Sequence, residues 1–462
     1  MDSHKNIFAI PELRKRVLFT LGLLAVFRIG GHIPTPGING KALALLAEQA
    51  AANNLFGLYD MFSGYSLSQM TLFALGVMPY ISASIILQLL TVVWPYLERL
   101  SKEGELGRRK ITQYTRYGTI LLSIMQGLAI AIYLESYTGV QGGLPIVYEP
   151  GLFFKFTTVL TLTTGSVLVM WLGEQITERG IGNGMSLLIY AGIVAGLPRG
   201  AATTLAQIGT GEMSPLRVVI LVALMIAVVA AVVFMERGHR RVTLQYARRM
   251  VGRRMYGGAG KHIPLKVNTG GVMPVIFASS ILAFPRTMAP MFPPGGFMEK
   301  AITQISLGYP LYNLLYIGMI IFFAYFYTAI IFNPDDVAEN MRKYGGFVPG
   351  IRPGKRTAEY IDTILARVTL AGAVYLAMIA LLPELMMVGV KVEPIPWIGP
   401  WLDSVTPKFI TEGLGVKFYF GGTSLLIIVG VAMDTVQQVE SQLIMRHYDG
   451  FMKKTRIRGR RG

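Results

Sequence analysis

Apolar residues fall into ten long runs separated by polar stretches, at about 17–34, 70–96, 117–135, 153–172, 184–198, 216–235, 271–290, 310–332, 367–390 and 418–440. Roughly 20 apolar residues cross a bilayer as a helix. Runs this long, rather than short and alternating, predict helices, which satisfy their own backbone in lipid. The fifth run is short and glycine-rich. The stretch Leu55–Tyr96 breaks the pattern, because a half-polar, glycine-broken segment of about 14 residues precedes an apolar run of about 25. That first segment is too short and too polar to span. A short helix that dips into the membrane must be surrounded by protein or line a wet cavity, so the pattern predicts a re-entrant plug seated in a pore. Pro79, inside the second part, removes a backbone hydrogen bond and either helps that helix bend or is a tolerated kink.

Charge orients the runs. The chain has 462 residues, 52% hydrophobic and 15% charged, with a net charge of +17. A soluble domain carries roughly 25% charged residues. Of the 43 Lys and Arg, 33 lie on one face: the N-terminus, 97–116, 173–183, 236–270, 333–366 with Arg367, and the C-terminal tail. Basic residues stay cytoplasmic, so both termini are expected there. No small-residue cleavage site follows the first run, which reads as a retained span. The loop 236–270 holds nine basic residues against one acidic. This is either surplus topology signal or a docking surface for RNA or an acidic protein face. In 333–366, Pro349, Gly350, Pro353 and Gly354 form a rigid turn that presents Arg352 outward, or a turn alone.

Little in the chain suggests chemistry. There is no cysteine, which excludes disulfides and thiolate sites. His4, His32, His239, His262 and His447 have no ligand spacing, so no metal is expected. Gly260-Lys261 lacks the flanking residues of a phosphate loop. Arg28, near the end of the first run, can snorkel or pair with a neighbouring helix. Lys155 and Asp434 lie near the ends of theirs, and no convincing midplane ion-coupling group appears. Gly192 and Gly196 have the small-xxx-small spacing of close helix packing; Gly182, Gly184, Gly421 and Gly422 sit at helix starts. The chain thus reads as a pathway without an engine, and not as an enzyme; no cofactor is expected.

The motifs MFSG…FALGVMPYISASI, GRRKITQYTRYGT, WLGEQITERGIGNG, HIPLKVN…PVIFASS, FNPDDVAENMRKYGGFVPGIRPG and FYFGGTSLL together resemble the SecY family of bacterial protein-conducting channels. The resemblance runs from about Arg14 to Lys454. It implies an all-α polytopic membrane protein of ten transmembrane helices, in two pseudo-symmetric inverted halves (spans 1–5 and 6–10). These halves cover residues 1–198, with the plug at about 55–69, and 199–462, with the cytoplasmic loops 236–270 and 333–366 and a basic tail. Unfolded secretory polypeptides would pass through, and hydrophobic helices would leave sideways into lipid. SecE, usually SecG, the SecA motor ATPase and a translating ribosome are the implied partners, with signal peptides and nascent membrane proteins as substrates. The implied location is the bacterial cytoplasmic (inner) membrane.

Residue by residue, the resemblance places the pore ring at Val77, Ile81, Met185, Ile189, Ile276 and Ile427, a collar suited to gating by dewetting. Each, taken singly, reads as ordinary core. The plug corresponds to Leu55, Gly57, Asp60, Phe62, Gly64 and Gln69. The lateral gate, between the second and third spans and the seventh and eighth, corresponds to Ser82, Gln88 and Phe284, with Ser84, Ser279 and Ser280 nearby. Docking falls on Arg240, Arg241, Arg248, Arg249, Arg253, Arg254 and Arg352. The external segment 391–417 looks longer than expected for its place, and its Pro394, Pro396, Trp397 and Trp401 suggest a fold back onto the interface. Two other classes fit part of the pattern. A secondary transporter shares inverted repeats and broken helices but needs midplane ligands. A membrane anchor for ribosomes leaves the plug-like segment unexplained.

Overall fold

The computed structural model describes residues 10–40, 42–43, 60, 63–136, 145–211, 214–246, 249–251, 254–256, 261–288, 296–305, 309–389 and 422–454. The helices are α1 (Pro11–Gly30), α2 (Met78–Val93), α3 (Pro95–Lys102), α4 (Glu105–Ser136), α5 (Leu152–Arg179), α6 (Gly184–Gly209), α7 (Pro215–Glu236), α8 (Met273–Met288), α9 (Phe297–Gln304), α10 (Pro310–Ile331), α11 (Pro334–Lys343), α12 (Lys355–Val388) and α13 (Gly422–Lys454). A helix overlies each apolar run. Among the described residues α4, α5, α6, α7, the stretch Pro310–Lys343 and Lys355–Leu382 are long and apolar enough to cross a membrane, and the bent pair α2–α3 can form one more span. Their surfaces are apolar outward. On α7, Leu216, Val219, Ile226 and Phe234 are exposed while Leu221, Val228 and Val232 are buried. A helix that is apolar all round asks for lipid on its outer side.

The described residues form two compact units, one within Met1–Thr203, Ala283–Lys300 and Val431–Gly462, the other within Thr204–Leu282 and Ala301–Gly430. In the first, α4 packs along α5 and α2. Arg116–Glu174 (2.8 Å) ties α4 to α5 near one end and Lys155–Glu135 (2.7 Å) near the other, so Lys155 is paired rather than free for transport chemistry. The run 70–96 is not one straight helix. Residues 70–77 are buried turns, and α2 starts at Met78. Pro79 therefore occupies the first turn, where no intrahelical bond is lost, and it does not kink the span. The break falls instead at Trp94, which is extended (φ −99°, ψ 113°) before Pro95, as proline requires of its predecessor. There the chain bends by 98° into α3, which buries Leu97 and Leu100 and exposes Arg99 and Lys102. The fifth run also outlasts its expected end, since α6 continues through Pro198 to Gly209.

In the second unit the basic loop folds as β-structure: β1 (His239–Tyr246), β2 (Arg249–Val251), β3 (Arg254–Tyr256) and β4 (Lys261–Lys266). Alternation explains it: Val242 and Leu244 point inward while Arg241, Thr243 and Gln245 face out. β1 pairs antiparallel with β4, from His239↔Lys266 to Leu244↔Lys261. On its other edge β1 takes β5 (Gly346–Phe347) through Gln245↔Phe347. The two basic loops, 236–270 and 333–366, separate in the sequence, thus share one sheet. Val242, Leu244, Leu265, Met341, Val348 and Ile361 form their common core, and burying each such side chain contributes about 1.5–3 kcal/mol. Asn333 caps α11 by accepting from Asp335 N–H (3.1 Å), with Asp335 and Asp336 in the first turn and Arg342 and Lys343 in the last, the sense the helix dipole favours.

Candidate channel and docking site

All six residues of the proposed collar are buried: Val77, Ile81, Met185, Ile189, Ile276 and Ile427. In the first unit, Val77 caps α2 and Ile81 lies one turn on, its N–H donating to Val77 O (3.1 Å). Met185 and Ile189 are one turn apart at the start of α6, with the Met185 thioether against Gly173 of α5. In the second unit, Gly430 of α13 packs on Val272. Ile427 lies one turn before Gly430, and Ile276 one turn after Val272 on α8. The Ile276 carbonyl accepts from Ser279 (2.9 Å) and Ser280 (2.7 Å) hydroxyls, so both serines are turned to their own helix.

Of the residues expected in a plug, Leu55, Gly57 and Phe62 lie outside the described residues. Asp60 is buried, Gly64 is left-handed at φ +71°, and Gln69 is exposed. Arg28, read as able to snorkel or to pair with a helix, instead donates from Nη1 to Gly64 O (3.2 Å). Its own carbonyl meets His32 Nδ1 at 2.8 Å. Of the residues expected at a lateral gate, Ser82 is buried on α2, and Phe284 is half-buried on α8. Gln88 donates from Nε2 to Ser84 Oγ (3.2 Å), leaving its buried Oε1 with no hydrogen-bond donor among the described residues.

Arg240 and Arg241 are exposed on β1, opposite Leu265 and Pro264. Arg249 pairs with Tyr256 and Arg254 with Val251 in the small β2–β3 ladder, while Arg248 and Arg253 lie outside the described residues. Arg352 is exposed in a turn whose Gly350 (φ +83°) and Gly354 (φ +107°) take conformations that glycine alone adopts freely. The Arg352 carbonyl accepts from Thr357 Oγ1 (2.9 Å), which fixes the turn on the first residues of α12.

One pair of residues has no signal in the sequence pattern. Glu236, buried at the end of α7, accepts from Asn268 Nδ2 (2.6 Å), and the same amide donates to Gly271 O (3.0 Å). The two residues close the base of the β1–β4 hairpin just before α8. Their separation of 32 residues and their polar character at a membrane edge hide them from periodicity. Replacing Asn268 by leucine strips a charge-assisted bond from a buried carboxylate, at a cost of about 1.5–3 kcal/mol. Thermal unfolding of the purified chain is expected to show a lowered midpoint. Asn268→Asp is expected to lose stability too, but with a deficit that shrinks as pH falls, because protonation removes the repulsion between two carboxylates.

A family model described as SecY matches residues 71–436. The chain is 50% identical over 454 residues to the protein translocase subunit SecY of Escherichia coli (strain K12), covering 97% of this chain and 96% of that one. Among solved structures it resembles a SecY whose plug domain is described as stabilising the closed state of the translocation channel and maintaining a membrane seal. The TM-score is 0.62 at 18% identity, over 93% of this chain and 92% of that one. It also resembles Sec61 in the canine ribosome–channel complex from the endoplasmic reticulum, with a TM-score of 0.58 at 17% identity over 93% and 92% of the two chains. The structural likenesses carry the fold, and identity at one residue in two along nearly the whole length carries more: the chain belongs to the SecY family.

Proposed function

We infer that the chain is the channel subunit of a protein translocase, passing unfolded secretory polypeptides across the membrane and releasing hydrophobic helices sideways into lipid. The observation that carries this is the near-full-length, 50% identity to a protein translocase subunit. The burial of all six apolar collar residues agrees with it. Val77, Ile81, Met185, Ile189, Ile276 and Ile427 form the constriction, residues 55–69 the plug, and Ser82, Gln88 and Phe284 the gate, between halves 1–198 and 199–462. An apolar collar excludes water when closed and yields around a passing chain, with Met185 its most adaptable member. Arg240, Arg241, Arg248, Arg249, Arg253, Arg254 and Arg352 receive the SecA motor or the ribosome, the latter in keeping with the ribosome–channel complex among the structural neighbours. SecE and SecG complete the assembly in the bacterial inner membrane, with both termini in the cytoplasm.

The absence of cysteine gives a clean test. A cysteine at Ile81 or Ile276 is expected to form a disulfide with a cysteine in a translocation-stalled secretory polypeptide. One at Met378, exposed on α12, is not. No crosslink at either collar position, with the substrate demonstrably engaged, would overturn the central pore.

A further inference from the structure

The glycines at 192 and 196 have a partner other than a helix. They lie one turn apart on α6, and what rests on them is the turn that follows Asp60. A Cβ at Gly196 would overlap the Tyr65 ring, and a Cβ at Gly64 would stand 3.0 Å from Gly192 Cα. The turn is tied to itself by Tyr65 N–H to Asp60 O (2.7 Å), Ser63 Oγ to Asp60 O (2.9 Å), Leu67 N–H to Ser63 Oγ (3.2 Å) and Ser68 N–H to Asp60 Oδ1 (2.8 Å). Arg28 holds it from α1 through Gly64 O. Gly64 and Tyr65 are both left-handed, at φ +71° and +66°. Glycine accepts this freely, but a bulky aromatic does not. A residue held in such a region needs its surroundings to over-determine it, and here the surroundings are the groove and the guanidinium.

We propose that the Gly192–Gly196 groove of α6 and Arg28 of α1 form a latch for Gly64 and Tyr65, with Tyr65 as the positioning residue that fixes the end of the plug while the channel is closed. This rests on the reading of 55–69 as the plug. The latch is weak by construction. The groove grips a ring by shape, Arg28 contributes one hydrogen bond to a backbone carbonyl, and the docked backbone at Tyr65 relaxes when it leaves. An element built this way has a docked and a released state close in free energy, which suits a closure that a partner must open.

The test uses the full chain assembled with its partner subunits in liposomes, with idle ion leak as the readout. Gly196→Ala drives a methyl into the Tyr65 ring and is expected to raise the leak about tenfold, the factor given by a loss of roughly 1.4 kcal/mol of closed-state stability. Tyr65→Gly, which removes the ring and relieves the backbone, is expected to raise it as well. The double variant is expected to leak no more than Tyr65→Gly alone, since the added methyl then meets no ring. Gly22→Ala, at a helical glycine with open space around it, is expected to leave the leak unchanged. Should Gly196→Ala fail to assemble, Tyr65→Gly alone carries the test. A wild-type leak in Tyr65→Gly, or additive leaks in the double variant, would overturn the latch. The same liposomes carrying Ile81→Cys separate the two ideas: a crosslink to a stalled polypeptide with no change in leak sinks the latch only, whereas no crosslink sinks the pore beneath it.

Discussion

Replacing Gly165 by valine is expected to prevent the chain from assembling stably. Gly165 lies on α5 where any Cβ would overlap the Leu72 carbonyl, a backbone group and not the end of a flexible side chain. Leu72 cannot retreat. Its N–H donates to Ile33 O (2.8 Å), Thr35 N–H donates to Met70 O (2.9 Å), and Thr71 N–H donates to Ser66 O (3.0 Å), which knots residues 66–72 to the chain leaving α1. On the same segment the Phe73 ring stacks on Phe27 at 5.7 Å and fills the space at Gly30. Overpacking here therefore costs at least about 3 kcal/mol, the upper part of its usual range. It falls five residues before Val77, so the start of α2 moves with it. The yield of folded chain and its thermal midpoint are the measurements. Gly118→Ala, whose Cβ would sit 3.3 Å from Ala83 Cβ, is the expected mild control. Near-normal melting of Gly165→Val would show that α5 can back away from the turn.

Charge reversal at Arg240, Arg241 and Arg352 together is expected to weaken ribosome binding by about 100-fold at low salt, and to make the dependence of log K on log salt shallower by about 2–3. The three are exposed on one body, two on β1 and one at the turn before α12. Contacts to RNA phosphate release counterions in proportion to the charges neutralised, so both the affinity and the slope must change. An affinity drop with an unchanged slope would mean that the substitutions disturbed the sheet rather than removed phosphate contacts. An unchanged affinity would move docking elsewhere.

The positions of the spans are legible in the sequence because a bilayer demands apolar length and little else, and a helix overlies each run. The interior detail is not. Phe73, Ala74 and Leu75 read as helix, yet they form a buried turn, and burial makes a turn as apolar as the helix after it. The strands of the 236–270 loop are present as the alternation of Val242 and Leu244, masked by the arginines around them. The residues assigned to the collar are composed like any core, so only resemblance singles them out. Arg28 with Gly64 and Glu236 with Asn268 are pairings across 36 and 32 residues, beyond the reach of any local pattern. Gly192 and Gly196 carry the right signal, close approach, but the spacing does not say that a turn approaches instead of a helix.

The strand pair between β1 and β5 joins the two basic loops into a single surface, and the docking we propose there has one berth. Arg240 and Arg241 on β1 and Arg352 in the turn before α12 ride on the unit that this pairing and its shared core hold together. If a ribosome feeding a growing chain and a motor pushing a finished one both dock through these arginines, as we propose, they are expected to take turns, and the traffic through the channel is then scheduled at its mouth by competition.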